Sequence, residues 1–175
     1  MSSFSIAPVN VFEAARTGRS VQGELPLAAF ARLGPTLLGA GTVRYAFDCA
    51  RDDRGRPSAQ LTFEAVVVLR CDRCNGPVRL PLNGAAWFYF VRTEDELARI
   101  PVDESDEEPL IGSERFDLHA LIEDELILAL PISPKHEDCS LPVDVDGAVA
   151  EPAADPAPDR PNPFAKLAQF KPRRH

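Results

Sequence analysis

The sequence predicts an α+β fold: a twisted antiparallel β-sheet with one main helix packed on it, then a disordered Pro-rich linker and a short basic C-terminal helix. Three observations predict it. Apolar and polar residues alternate across residues 42–70. A helical apolar period runs through residues 117–130. Beyond residue 142, Pro, Ala and Asp displace bulky apolar side chains. The chain therefore divides into a β-rich globular domain over 1–141, a flexible linker over 142–161 and a basic binding segment over 162–175.

Residues 4–12 read as a first strand. Leu25 to Leu33 suits a short helix, stopped by Gly34-Pro35. Val43, Tyr45 and Phe47 then alternate with polar neighbours, and Asp52 to Pro57 forms a charged turn. Leu61, Phe63, Ala65, Val67 and Leu69 alternate again. Val66 and Val68 make the end of that strand apolar on both faces, as in the centre of a sheet. Val78–Leu82 and Trp87–Val91 read as two further strands. The acidic stretch from Glu94 to Glu108 reads as a solvated loop, or as a docking face for a basic partner.

In the main helix, Asp117 is the N-cap and Pro131 ends the helical run. Leu118, Leu121, Ile122, Leu126, Leu128 and Ala129 share one broad face. Glu125 falls inside that arc, whereas Glu123 and Asp124 do not. A carboxylate in an apolar arc must find a partner or shift its pKa upward; Glu125 is expected to lock the helix to the sheet by a hydrogen bond or ion pair, with a catalytic carboxylate as the lesser reading. His119, near the edge of the face, reads as a packing or surface residue. After the linker, Asn162 and Pro163 suit the start of a short helix carrying Phe164, Leu167, Ala168 and Lys171 on one side, with Phe170 off the stripe. So short a helix is marginal alone and should fold on a partner or dock on its own body, with a bland tail as the plain alternative.

The 175-residue chain carries a net charge of −8. Lys166, Lys171, Arg173 and Arg174 lie in the last twelve residues, which hold no acid. Setting those four aside leaves 15 of the 19 basic residues against 27 acidic ones, a net −12. Such a body repels nucleic acid at long range and attracts basic proteins. No apolar run approaches the ~20 residues of a membrane span, so no membrane association is expected. The first residues lack an export signal, which predicts a cytoplasmic, reducing environment. Cys49, Cys71, Cys74 and Cys139 are then thiols or metal ligands rather than disulfides. Cys49 has no second ligand nearby and is expected to be a buried or half-buried thiol.

Cys71-x-x-Cys74, followed by Gly76-Pro77, is the best local motif. Two thiolates at this spacing grip one metal ion, and zinc wants four ligands. His136 and Cys139 supply the second pair, provided that the two pairs meet in space. Two other readings stand beside zinc: reduced thiols shaping a loop, and a redox pair. Arg70, Arg73 and Arg79 nearby are candidate phosphate contacts, with a solvated rim as the plain alternative. The tail residues Phe164, Lys166, Leu167, Phe170, Lys171, Arg173 and Arg174 are the other binding candidates. No phosphate-binding glycine loop, dinucleotide fingerprint or Gly-x-Ser-x-Gly elbow is present, so no enzyme is expected.

Three blocks resemble the bacterial YceD family. They are Val67-Val68-Leu69-Arg70-Cys71-Asp72-Arg73-Cys74 with Pro77; Phe116-Asp117-Leu118 and Ile122 to Pro131, running on to Pro134, His136 and Cys139; and Pro161 to Leu167 with its basic end. Asn75 departs from the glycine or leucine of the family pattern. The resemblance implies a non-enzymatic role in synthesis, processing or stability of 23S ribosomal RNA, and hence in large-subunit biogenesis. Its implied partners are pre-23S ribosomal RNA or a large-subunit assembly intermediate. The acidic body adds a basic large-subunit ribosomal protein. It implies no catalytic residues. The alternatives are a thiol- or zinc-dependent enzyme using Cys71 and Cys74, and a protein-binding adaptor without RNA contact.

Overall fold

The computed structural model describes residues 6–101 and 107–140. The elements are α1 (Val11–Thr17), β1 (Ser20–Pro26), β2 (Thr42–Arg51), β3 (Pro57–Arg70), β4 (Pro77–Val91), α2 (Glu94–Leu97), β5 (Glu107–Ile111) and α3 (Leu118–Leu128). The strands make one twisted five-stranded sheet in sequential order, giving a mixed α+β fold. The proposed linker over 142–161 and C-terminal helix over 162–175 lie outside the described residues.

The long strands follow the alternation. Val43, Tyr45 and Phe47 of β2 and Leu61, Phe63, Ala65, Val67 and Leu69 of β3 all point into the core. β3 is the middle strand, yet its other face is open: Val66 is 44% exposed and Val68 is half-buried. Residues 78–82 and 87–91 are not two strands: β4 runs unbroken for 15 residues. Gly84 stands opposite Phe63 in the register with β3. A Cβ there would meet Phe63 Cζ at 2.4 Å, so the ring occupies the room a side chain would take.

The sheet is not wholly antiparallel. β1 to β4 form an antiparallel meander, but β5 runs parallel to β4. A parallel return needs about a dozen residues of crossover, and residues 92–106 supply that length. The acidic stretch thus contributes structure at both ends. Thr93 caps α2 by accepting from Glu96 N–H at 3.2 Å. Glu107 of β5 pairs with Arg56, whose guanidinium stacks on Tyr89 at 3.8 Å.

The N-terminal reading is corrected twice. Of the expected strand over 4–12, residues 4 and 5 lie outside the described residues, and residues 6–12 do not form a strand: Val9 makes only an isolated bridge to Phe116, and Val11 already lies in α1. Asn10 caps that helix, accepting from Glu13 N–H at 3.1 Å, and Gly18 ends it at φ +66°. These local caps outweigh the short alternation. The Leu25–Leu33 helix is replaced by β1 and a single 3-10 turn at Leu27–Ala29. Leu27 N–H is used instead by Gly41 O at 2.8 Å.

Helix α3 is capped as expected, with Asp117 accepting from Ala120 N–H at 3.0 Å. Leu118, Leu121, Ile122 and Leu126 enter the core, but Leu128 is 75% exposed. The buried face is rotated toward His119 and Glu123. The chain after β1 causes this rotation: Phe30 stacks on His119 at 4.6 Å, and Arg32 and Leu33 pack beside Glu123. Glu123, not Glu125, is therefore the buried lock, at 6% exposure. It accepts Arg32 N–H at 2.6 Å, Leu33 N–H at 3.2 Å and Arg32 Nε at 3.0 Å. Burial alone would raise its pKa; the two N–H donors and the guanidinium outweigh burial and hold it below the usual value. Glu125 is half-buried, and burial, with Glu108 and Asp124 near, pushes its pKa up.

Candidate metal centre

The turn between β3 and β4 shapes the first pair of donors. Asn75 N–H reaches Cys71 O at 2.9 Å and Cys71 N–H reaches Gly76 O at 2.8 Å, closing a tight knuckle. Asn75 sits at φ +60°, a left-handed conformation that asparagine tolerates with little cost. A Cβ on Gly76 would lie 3.4 Å from Cys74 Sγ, so the residue gives the sulfur its room.

The second pair arrives on the segment after α3. Asp72 N–H donates to Pro134 O at 2.8 Å, and Ser133 Oγ donates to Asp72 Oδ2 at 2.7 Å. Arg73 Nη1 donates to Cys139 O at 3.1 Å. These three bonds draw residues 133–139 onto the knuckle.

The two pairs meet. One donor atom each from Cys71, Cys74, His136 and Cys139 lies within 4.8 Å of all the others. Cys71 Sγ is 3.7 Å from Cys139 Sγ, and Cys74 Sγ is 3.4 Å from His136 Nδ1. At a Zn–S length of about 2.3 Å, tetrahedral sulfurs stand about 3.8 Å apart. His136 Nε2 lies 3.0 Å from Pro77 O. A carbonyl only accepts, so Nε2 carries the proton and Nδ1 turns its lone pair to the sulfurs.

Electrostatics point the same way. Burial would raise the Cys71 pKa, but N–H groups of Cys74, His136 and Arg73 and the Cys74 side chain bring it down to about 5. Cys139 is pushed up by burial and by the sulfurs of Cys71 and Cys74. As thiolates, three sulfurs this close would repel one another, and a divalent cation among them would remove that repulsion. Three sulfurs and one imidazole nitrogen therefore fit a tetrahedral metal ion.

Of the arginines, Arg73 is used in holding the Cys139 loop. Arg70 and Arg79 are exposed and have no ion pair among the described residues. Phe164, Lys166, Leu167, Phe170, Lys171, Arg173 and Arg174 lie outside the described residues. Cys49 is buried in β2, with its thiol pushed up to about 11 by burial, Asp48 adding to the shift. The Asp72–Ser133 and Asp72–Pro134 contacts were not read from the sequence. Their signal was slight: a polar residue inside a cysteine knuckle and a Ser-Pro pair before the histidine.

Fold and site together define a small mixed α+β protein with a Cys₃His cluster closing its longest hairpin. The chain belongs to the YceD family, whose model, described as large ribosomal RNA subunit accumulation protein YceD, matches residues 59–171. A Haemophilus influenzae protein named large ribosomal RNA subunit accumulation protein YceD is 37% identical over 111 residues. That match covers 60% of this chain and 60% of the relative's length. No solved structure matches. The matched segment begins within β3, so α1, β1 and β2 precede it.

Proposed function

We propose that this protein is a non-catalytic factor supporting accumulation of large-subunit ribosomal RNA, with a structural zinc ion held by Cys71, Cys74, His136 and Cys139. Membership of a family described by that role carries the reading. The related Haemophilus influenzae protein carries the same description in its name. The finer claim is action on 23S ribosomal RNA synthesis, processing or stability, in the cytoplasm. Pre-23S RNA, an assembly intermediate or a basic large-subunit protein would be the partner. Among the described residues, no helix is long and apolar enough to cross a membrane.

The donor set supports a structural rather than catalytic ion. Catalytic zinc keeps one position for water or substrate, whereas four protein donors fill a tetrahedron. The ion would tie the β3–β4 turn to the segment after α3, joining chain positions 62 to 68 residues apart. Removing the gene should lower the ratio of 23S to 16S ribosomal RNA in cells, and the intact protein should restore it. An unchanged ratio would overturn the reading. A thiol enzyme draws support from the low Cys71 pKa. It requires Cys71→Ser to abolish a turnover while the fold and metal content persist.

A further inference from the structure

The end of α3 carries two large apolar side chains that the core does not take. Leu128 is 75% exposed and Ile132 is fully exposed. Their neighbours Ile127, Ala129 and Leu130 pack against the core. The exposure is therefore not that of a loose loop. Ala129 N–H donates to Glu125 O at 3.0 Å and Leu130 N–H to Ile127 O at 3.2 Å, closing the helix just before Pro131. One residue past Ile132, Ser133 is bonded to Asp72, and Pro134 O accepts from Asp72 N–H. Ile132 is thus clamped between a helix end and the cysteine knuckle. Both side chains are thus held in water by an ordered backbone and are available to be covered by a partner.

The rim is acidic. Asp124 and Glu125 stand one helical turn before Leu128. Arg32 compensates Asp124 at 2.6 Å, but neither Glu125 nor Glu108 has an ion pair among the described residues. Glu108 of β5 and Asp124 lie close enough to Glu125 to act on its charge. Beyond the buried Glu123, residues 124–140 bear four carboxylates and a single lysine. RNA is repelled by such a rim, and a cationic protein segment is attracted.

We infer that Leu128 and Ile132, with the Glu125 carboxylate one helical turn before Leu128, form a docking surface for a lysine- or arginine-rich protein segment bearing aliphatic side chains. Aliphatic groups of the partner cover the leucine and isoleucine, while its cations meet Glu125. The surface rests on the proposed function only for its setting, since a ribosomal-subunit factor works among basic proteins.

The test uses the full chain and a synthetic amphipathic lysine/leucine peptide. A glutamate/leucine peptide of the same pattern and a single-stranded RNA serve as the other arms. The lysine/leucine peptide should bind, weaken with salt, and shift the backbone amide resonances of residues 124–132. A Leu128→Ser, Ile132→Ser double variant should lose about tenfold in affinity, and Leu128→Met, Ile132→Met should keep most of it. Glu125→Gln should flatten the salt dependence. Unchanged binding by the serine variant, equal binding of the glutamate/leucine peptide, or RNA shifting the same resonances would each overturn the inference. Because the readout is peptide binding to purified protein, it fails or succeeds independently of ribosomal RNA levels in cells.

Discussion

The sulfurs of Cys71 and Cys139 lie 3.7 Å apart although 68 positions separate them in the chain. Cys74 Sγ and a ring nitrogen of His136 both lie within 4.8 Å of these two sulfurs. Several measurable consequences attach to this relationship and to the packing around it.

Purified protein should contain about one zinc ion per chain by elemental analysis. Cys139→Ser should release it and lower Tm by about 10 °C, the scale expected for loss of a tightly bound ligand from a chain of this size. Chelation should reproduce the effect on the native protein and add nothing to the variant. A metal-free preparation with unaltered Tm would exclude the zinc corner.

Glu123→Gln should cost about 1–3 kcal/mol, because two backbone N–H groups and Arg32 lose a charged acceptor. The native pKa lies below the ordinary 4.5. The carboxylate therefore contributes its stability above about pH 4.5, and the contribution fades as pH falls through the lower native value. Urea unfolding across that range should show the wild type losing stability on acidification and the variant losing less. Parallel curves would show that Glu123 is not the lock.

Gly84→Ala should destabilise by about 1–3 kcal/mol, since the new methyl cannot coexist with the Phe63 ring where it stands. Pairing it with Phe63→Leu should recover part of the loss. A double-mutant cycle with no coupling would mean that the ring does not rest on the glycine.

Cys49 should resist alkylation in the native protein at pH 8, being buried with its thiol pushed up to about 11. After chelation, Cys71, Cys74 and Cys139 should react first. Mass spectrometry of peptides after brief iodoacetamide treatment separates the two sets, and early modification of Cys49 would count against the packed β2.

Much of the sheet was legible because alternation is a local signal. Val43 to Phe47 and Leu61 to Leu69 face the core as their spacing implies. The cap of α3 was legible for the same reason, since Asp117 acts within its own first turn. Glu125 and Glu123 were interchanged because the helical wheel is drawn about the helix alone. Phe30, Arg32 and Leu33, some ninety residues earlier, rotate its buried face. The parallel β5 was missed because strand direction depends on the path of the connection, not on the strand's own residues.

The cluster divides in the same way. The sequence by itself determined two donor pairs at workable spacing, an acidic body and the blocks shared with one family. Tertiary structure alone decided that the pairs converge, which glutamate is buried, and that Leu128 and Ile132 remain in water. The reason is physical: residue periodicity and capping act over a few positions. Convergence is set by contacts such as Asp72 with Ser133 and Pro134, which exist only once the β3–β4 hairpin and α3 have folded.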